Sequence, residues 1–393
     1  MADSVYIVAS RRTPIGAFQG AFASVAAPAL GAAAIRATLA DASAKPEQID
    51  EVLFGCVLPA GLGQAPARQA ALGAGIPTQV PCTTVSKVCG SGMKAVMIGA
   101  DAIRAGSANI VLAGGMESMT NAPYLLGKAR SGYRLGHGEL LDHMFLDGLQ
   151  NAYDGKLMGV FAEATAHKYG FTRAEQDAYV QETIARANAA SESGAFDSEL
   201  APVTVKSRHS ESVVSRDEIP PTCDPAKLTK LKPAFDKDGT VTAASSSSIA
   251  DGAAAMLLVS TQGLAGFTSK PLARLVAAAG YAQQPEWFTT APVGAIRRVL
   301  ERAGWRQDSV DLFEINEAFA VVTMAAIRDL ALDPKRVNVH GGACALGHPI
   351  GASGARIITT LIHALRRKGL RRGIAALCIG GGEATAVAVE VVP

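Results

Sequence analysis

Thr83-Thr84-Val85-Ser86-Lys87-Val88-Cys89-Gly90-Ser91-Gly92-Met93-Lys94-Ala95 runs from a β-branched stretch through two glycines into small and apolar residues. Thr83 to Ser86 reads as a strand. Ser91 to Ala105, with Met93, Val96 and Ile103 among many small residues, reads as a buried helix, and Asn109 to Ala113 as the next strand. Strand, glycine turn, helix and returning strand are the building unit of an α/β fold. They place Cys89 at the strand-to-helix turn.

Working outward, Val5 to Ala9 and Val52 to Cys56 read as further strands, and Pro28 to Asp41 as an alanine-rich helix with proline in its first turn. The last third repeats the opening pattern. Gly351-Ala352-Ser353-Gly354 leads into a helical stretch, Ala355 to Arg367, and Ile374 to Ile379 reads as a strand ahead of Gly380-Gly381-Gly382. The first third has Gly90-Ser91-Gly92, its helix, and Ile110 to Gly115 in the same order. This echo predicts two similar lobes whose corresponding helix starts meet at a shared site, and 393 residues exceed the length at which single cores usually stop growing. Between them, Thr120 to Ala250 is richer in charge and proline. Its best element is a helix over Thr172 to Ser193, with Thr172 and Glu175 as a capping box and Gly194 as the stop. The expected division is a first lobe over 1–120 and 250–270, an excursion over 121–249 that covers ligand and builds subunit contacts, and a second lobe over 271–393.

Composition narrows the classes. Hydrophobic residues make up 49% and aromatics only 5%, which suits small-residue helices packed on sheets. A net charge of +2 gives no footing for nucleic acid, yet tolerates an anionic ligand. Six cysteines without CxxC or Cys/His zinc spacing form neither a disulfide framework nor a metal motif, so a reducing compartment and no metal are expected. Met1 to Val8 lacks the charged and apolar regions of a signal peptide, and no apolar run reaches the roughly 18 residues of a membrane span. A cytoplasmic location without membrane contact is the expectation.

Cys89, Cys378 and His348 are the candidate reactive groups. Partial positive charge at a helix N-terminus and a nearby imidazole both favour a thiolate, and Gly90 and Gly92 let backbone N–H groups approach an oxyanion. The alternative for Cys89 is a small buried packing residue. His348 lies in Gly347-His348-Pro349-Ile350-Gly351, where flanking proline and glycines fix an unusual backbone path; a hydrogen-bonded structural histidine is the other reading. Cys378 ends an apolar strand before three glycines, either at a sheet edge near ligand or as a buried strand cysteine. Asn316 and Glu317 interrupt the apolar stretch Val310 to Ala320. They either bond to something that repays their burial or begin a helix, with asparagine as cap. Thr242 to Gly252 reads as a low-complexity linker or as a hydroxyl-rich strip along a ligand channel. The basic run Arg366 to Arg372 reads as a solvated helix end.

Taken together, Val88-Cys89-Gly90-Ser91-Gly92-Met93-Lys94-Ala95, Asn316-Glu317-Ala318-Phe319, Gly347-His348-Pro349-Ile350-Gly351-Ala352-Ser353-Gly354 and Cys378-Ile379-Gly380-Gly381-Gly382 closely resemble the thiolase family, in the same order. Gly114-Gly115-Met116-Glu117-Ser118-Met119-Thr120 and Ile249-Ala250-Asp251-Gly252-Ala253-Ala254-Ala255 add to the match, which spans essentially the whole chain. The resemblance implies an α/β thiolase fold: two similar mixed-sheet lobes layered with helices as αβαβα, plus an inserted loop domain, in a homodimer or homotetramer. It implies CoA thioesters as partners and coenzyme A as co-substrate, with no tightly bound cofactor. Cys89 then matches the acylated nucleophile, His348 its activator, and Cys378 the acid or base acting on the acetyl-CoA α-carbon. One oxyanion hole is implied at His348 with a water held by Asn316, the other at the N–H groups of Cys89 and Gly380. Ser247 matches a pantetheine contact, and Phe288 and Phe319 are assigned to the substrate pocket.

The chain departs from many relatives at His340, Cys344 and Ser245, where asparagine, an aliphatic residue and asparagine are common. Phe288 stands where short-chain biosynthetic members often have methionine. Pro220-Pro221-Thr222 lacks an arginine often found nearby, which puts one phosphate or adenine contact in doubt. The expected activity is acyl transfer between acetyl-CoA and acetoacetyl-CoA through acyl-Cys89. A broader 3-ketoacyl-CoA thiolase of fatty-acid or aromatic degradation is the alternative. Outside that class, a cysteine hydrolase would release free acid, and a non-catalytic acyl-CoA carrier would form no thioester.

Overall fold

The structure is a computed structural model that describes residues 4–206 and 211–393. The first three residues of the amino-terminal stretch read above lie outside it. Nine strands form one hydrogen-bonded path. They are β1 (Val5–Arg12), β2 (Glu51–Gly55), β3 (Cys82–Val85), β4 (Ile110–Ser118), β5 (Ala250–Ser260), β6 (Ala273–Ala282), β7 (Leu312–Ile315), β8 (Arg372–Ile379) and β9 (Glu383–Val391), in the order β7-β8-β9-β6-β1-β5-β4-β2-β3. Pairing is parallel for β2 with β3 and β4 and for β7 with β8, and antiparallel elsewhere along the path. The seam between the halves is short, with Val5 to Ile7 facing Leu275 to Ala273.

The helices sort into layers because the strands bury both faces. On one outer face α1 (Ala27–Ala42) and α2 (Pro66–Gly73) cover β1, β2, β4 and β5, with Leu30, Ile35 and Leu39 packed near Phe54 and Leu112. On the other, α6 (Ala291–Ala303) covers β6, β8 and β9 through Ile296, Val299 and Leu300. Two helices lie between: α3 (Ser91–Arg104), and α8 (Ile350–Arg367), which touches strands of both halves. Their shared core joins Met93, Val96 and Ile103 to Ile358, Leu361 and Leu365. Alternation along β4 is visible in the side chains, since Val111 and Ala113 join that inner core while Leu112 and Met116 join the outer one.

Sequence-based boundaries hold closely for α1, α3, β2 and β3, and Asn109 to Ala113 extends to a nine-residue buried strand, β4. One boundary is wrong. Helix α8 begins at Ile350, behind Pro349 as its N-cap, so Gly351 to Gly354 form its first turns rather than a loop leading into it. The reason is tertiary. A Cβ on Gly92 would sit 2.9 Å from the Gly351 oxygen, and one on Gly354 would sit 2.5 Å from the Met93 nitrogen. The glycines let the two central helices cross backbone to backbone.

The excursion carries α4 (Met158–Tyr169) and α5 (Arg173–Glu192), and α5 has the expected capping box at Thr172 and Glu175. A buried cluster ties the excursion to β1. Arg12 donates to Glu199 at 2.5 Å and bidentately to Asp217 at 2.7 and 2.9 Å, with its guanidinium over the Phe196 ring. The stretch 242–249 is not a loose linker. Thr242 is buried and receives Ser246 Oγ on its carbonyl, and Ala250 already begins β5. Helix α7 (Ala320–Asp329) follows β7.

Candidate active site

Cys89 sits between β3 and α3 on a strained turn. Val88 holds φ +45°, a left-handed conformation that is costly for a β-branched residue. Around it Ser91 Oγ donates to the Val88 carbonyl at 2.6 Å and accepts from Lys87 N at 2.8 Å. A Cβ on Gly90 would collide with Ile379, so the Cys89 turn is fitted directly onto the end of β8, and the N–H of the next residue there, Gly380, favours the Cys89 thiolate. Cys378 is one step back on β8, paired with Ala384 and only 1% exposed. It lies at the end of an interior strand rather than at a sheet edge. The structure thus brings the two far-apart sulfurs close enough for the charge of Cys89 to raise Cys378.

His348 follows Gly347, whose φ of +96° is open to glycine. Its N–H reaches the Ser248 carbonyl at 2.9 Å. Its Nδ1 lies 2.5 Å from Ser353 Oγ, and that hydroxyl donates its single proton to the Pro349 carbonyl at 2.9 Å. Nδ1 must then carry the imidazole proton and donate it to Ser353, which leaves Nε2 bare. Nε2 faces Asn316 Nδ2 at 3.4 Å. Asn316 lies just past β7 and caps no helix, because α7 starts at Ala320 behind Phe319. Its neighbour Glu317 turns the other way and accepts from Tyr179, Thr183, Asn338 and Cys344 N.

Burial sets the protonation states. It pushes the Cys89 thiol up to about 11, with the N–H groups of Gly380 and Cys89 pulling in the opposite direction. The features that favour a thiolate at Cys89 are thus outweighed by burial, and the resting group is a thiol. Burial, and then the charge of Arg356, hold His348 down at about 3, so the imidazole is neutral. Cys378 is raised well above the ordinary thiol range by burial and then by Cys89. The resting set is two thiols and a base whose unprotonated Nε2 faces the Asn316 amide at 3.4 Å. Such a set can pass a proton at the moment of attack without holding charge beforehand.

Cys89, His348, Gly380, Ser247, Phe288 and Phe319 all line one cavity of about 200 Å³. Ser246 shares that wall, so the hydroxyl strip borders the site. Phe319 meets Phe288 and Phe235 edge-on at 6.5 and 5.9 Å between ring centres. Cys378 and Asn316 stand behind the lining. The departures at His340 and Ser245 do not reach the cavity: His340 packs on Phe196, and Ser245 bonds Thr242. Cys344 is buried beside Glu317. Among the described residues, no group of three His, Cys, Asp or Glu could hold a metal ion.

The thiolase N-terminal domain model matches residues 5–262, and the thiolase C-terminal domain model matches 269–391. The chain belongs to the thiolase family. This thiolase is 48% identical to an acetyl-CoA acetyltransferase of Pseudomonas aeruginosa, over 98% of each chain. It is 49% identical to acetyl-CoA acetyltransferase 2 of Arabidopsis thaliana, over 98% of this chain and 97% of the relative. The crystal structure of the Bacillus anthracis acetyl-CoA acetyltransferase superposes with a TM-score of 0.97 at 40% identity, covering 100% of this chain and 99% of that one. The layered α/β thiolase fold expected from the motifs is therefore the fold of this enzyme.

Three parts of the thiolase site escaped the sequence reading. Ser353 lies inside a quoted motif without a role there, although a hydroxyl five residues past the histidine is the available signal. Glu117 lay inside a quoted motif without a role. It is buried on β4 and accepts from Val57 N at 3.0 Å, Leu58 N at 3.1 Å and Gly351 N at 2.9 Å, so it anchors the start of α8. Burial still outweighs those donors and raises its carboxyl to about 7. Leu157, Met158 and Phe235 of the excursion complete the apolar wall; nothing in their local sequence marks them.

Proposed function

We propose that this thiolase is an acetyl-CoA C-acetyltransferase, joining two acetyl-CoA molecules into acetoacetyl-CoA and coenzyme A, and reversing that reaction. The observation that carries the reading is the cavity on which the Cys89 thiol, Gly380 and a neutral His348 with an unprotonated Nε2 stand together.

In the cleavage direction the Cys89 proton passes to His348 Nε2 as sulfur attacks the 3-keto carbon. The C2–C3 bond breaks, its electron pair goes to C2 of the departing acetyl-CoA enolate, and Cys378 supplies the proton. Coenzyme A then gives its thiol proton to the Cys378 thiolate, attacks the acetyl-Cys89 carbonyl and expels the Cys89 sulfur, which recovers its proton from His348 Nε2. Splitting one carbon–carbon cleavage into two acyl transfers is the gain from covalent catalysis. The N–H groups of Cys89 and Gly380 serve one oxyanion, and His348, once Nε2 has taken the Cys89 proton, serves the other together with a water held by Asn316; each such donor is worth roughly a hundredfold or more in rate. The apolar wall of Leu157, Met158, Phe235, Phe288 and Phe319 keeps water from the acyl-enzyme.

On this reading coenzyme A is a co-substrate, its pantetheine arm passes Ser247, and thiols, imidazole and backbone donors suffice for both half-reactions. Copies associate, because Tyr124, Leu135, Leu140 and Tyr153 project apolar surface at 62%, 97%, 63% and 76% exposure. A homodimer or homotetramer in the cytoplasm fits; among the described residues no helix is long and apolar enough to cross a membrane.

The test is mass spectrometry of the protein mixed with acetoacetyl-CoA. A gain of one acetyl group mapped to Cys89 is expected, and an adduct elsewhere, or none, overturns the assignment. Activity against 3-ketoacyl-CoA of increasing length then separates the acetoacetyl reading from a broader one.

A further inference from the structure

Behind the cavity lies a second layer of charge that the mechanism above does not use. Arg356, on α8, is 2% exposed, and Nε, Nη1 and Nη2 all lack a hydrogen-bond partner. Its nearest acid is Glu314 on β7, also 2% exposed, with Oε2 3.8 Å from Nη1 and Oε1 without a partner. Burying a guanidinium and a carboxylate with so few bonds is expensive, and an apolar pair of similar volume would cost the fold less. Packing alone gives no reason for them.

Their positions supply one. Arg356 is three residues after Ser353, hence on the same face of α8. Glu314 is two residues before Asn316, on the same side of an extended chain whose register continues through Asn316, since Asn316 N bonds the Ala376 carbonyl at 3.0 Å. Ser353 and Asn316 are the two groups that hold His348, one on each ring nitrogen. Strand and helix are therefore linked by two adjacent rungs: Asn316, His348 and Ser353 above, Glu314 and Arg356 below.

We propose that Glu314 and Arg356 form a buried positioning pair that fixes the strand carrying Asn316 against the helix carrying Ser353, so that both nitrogens of His348 are engaged at once. Burial raises the Glu314 carboxyl to about 8 while the charge of Arg356 pulls it the other way; where the carboxylate is ionised, its attraction to the guanidinium across 3.8 Å in a medium of low dielectric holds the spacing without a tight hydrogen bond. The positive charge of Arg356 also disfavours a protonated imidazole, second to burial, which keeps His348 in the form that can accept the Cys89 proton. The pair touches neither sulfur, so it acts through His348 alone.

The inference rests on the proposed role of His348, and its test has an arm that does not. In the intact enzyme, nitrogen NMR of labelled histidine should show His348 wholly in the Nδ1–H form, and Arg356→Met should shift it to a mixture of tautomers. In the same variant, Cys89 acetylation under single turnover should slow tenfold or more, with KM for the acyl-CoA within twofold. Glu314→Gln with Arg356→Met should recover part of that loss, because no lone buried charge remains. Arg356→Lys, which keeps the charge, should retain more activity than Arg356→Met and serves if the latter folds poorly. An unchanged tautomer with wild-type acetylation overturns the pair, as does a rate loss that simply adds in the double variant. If the wild-type protein accepts no acetyl group, the function fails while the NMR result still decides the pair.

Discussion

His348 Nδ1 lies 2.5 Å from Ser353 Oγ, and this contact chooses which imidazole nitrogen faces the reaction. Removing the hydroxyl leaves a buried N–H without a partner, which typically costs about 1–3 kcal/mol. Because the other tautomer points its proton at the cavity, the cost falls on catalysis. Ser353→Ala is expected to slow Cys89 acetylation about tenfold to a hundredfold while substrate affinity stays near normal. Single-turnover acetylation followed by mass spectrometry checks it; an unchanged rate means Ser353 does not hold the tautomer.

Cys378 is buried behind the lining and raised well above the ordinary thiol range by burial and by Cys89. A thiol that stays protonated at rest suits delivery of a proton to an enolate and is of no use to the first attack. Cys378→Ala should therefore still accept an acetyl group on Cys89 from acetyl-CoA, a step that forms no enolate, but lose carbon–carbon bond formation by about 10²–10⁴-fold, the range for a missing general acid or base. Acetylation is read by mass and bond formation by acetoacetyl-CoA production. Equal loss of both half-reactions would remove the division of labour.

The neutral resting state has a signature in stability. His348 is held at about 3 in the fold against an unfolded value near 6.5, so below pH 6.5 the unfolded chain takes up a proton that the folded chain refuses. Stability is thus lost as pH falls from 6.5 towards 3, and by pH 4.5 this one group accounts for roughly 2–3 kcal/mol. His348→Gln should lose that much less than the wild type when denaturant midpoints are compared at pH 6.5 and 4.5. Identical slopes would show that the imidazole titrates freely in the folded enzyme. Glu117 works in the opposite sense: its raised value favours the fold at low pH and loses that contribution as pH climbs from about 4.5 through 7.

The sequence revealed those features that depend on neighbours along the chain. The Cys89 turn, helix α3 and the cap at Thr172 and Glu175 are local, and their residues say so. It misled where tertiary packing overrode local preference. Gly351-Ala352-Ser353-Gly354 looks like a loop, but Glu117, from more than 200 residues earlier, takes the Gly351 N–H and the helix starts there. The protonation of Cys89 was illegible for a related reason: a helix N-terminus that favours the thiolate shows in sequence, whereas the desolvation that outweighs it does not. Arg356 and Glu314 are ordinary charges until the fold buries them together.

Gly115 tests whether the crossing of the central helices needs glycine. It sits in β4 under the first turn of α8, where a Cβ would collide with the Gly351 carbonyl and come within 3.0 Å of the Gly92 Cα. These neighbours are backbone, and Gly351 and Gly92 cannot retreat without parting α8 from α3. Overpacking a rigid junction costs about 1–3 kcal/mol and sometimes more. Gly115→Ala is expected at or above the top of that range, and acetylation should fall too, since Cys89 and His348 stand at the starts of those two helices. Gly127→Ala is the matched control, because nothing lies within 4 Å of the added carbon there and the change should stay within about 0.5 kcal/mol. Denaturant unfolding of both variants beside the wild type decides the matter: if Gly115→Ala unfolds with the control, the junction yields and close backbone approach is not what the glycines provide.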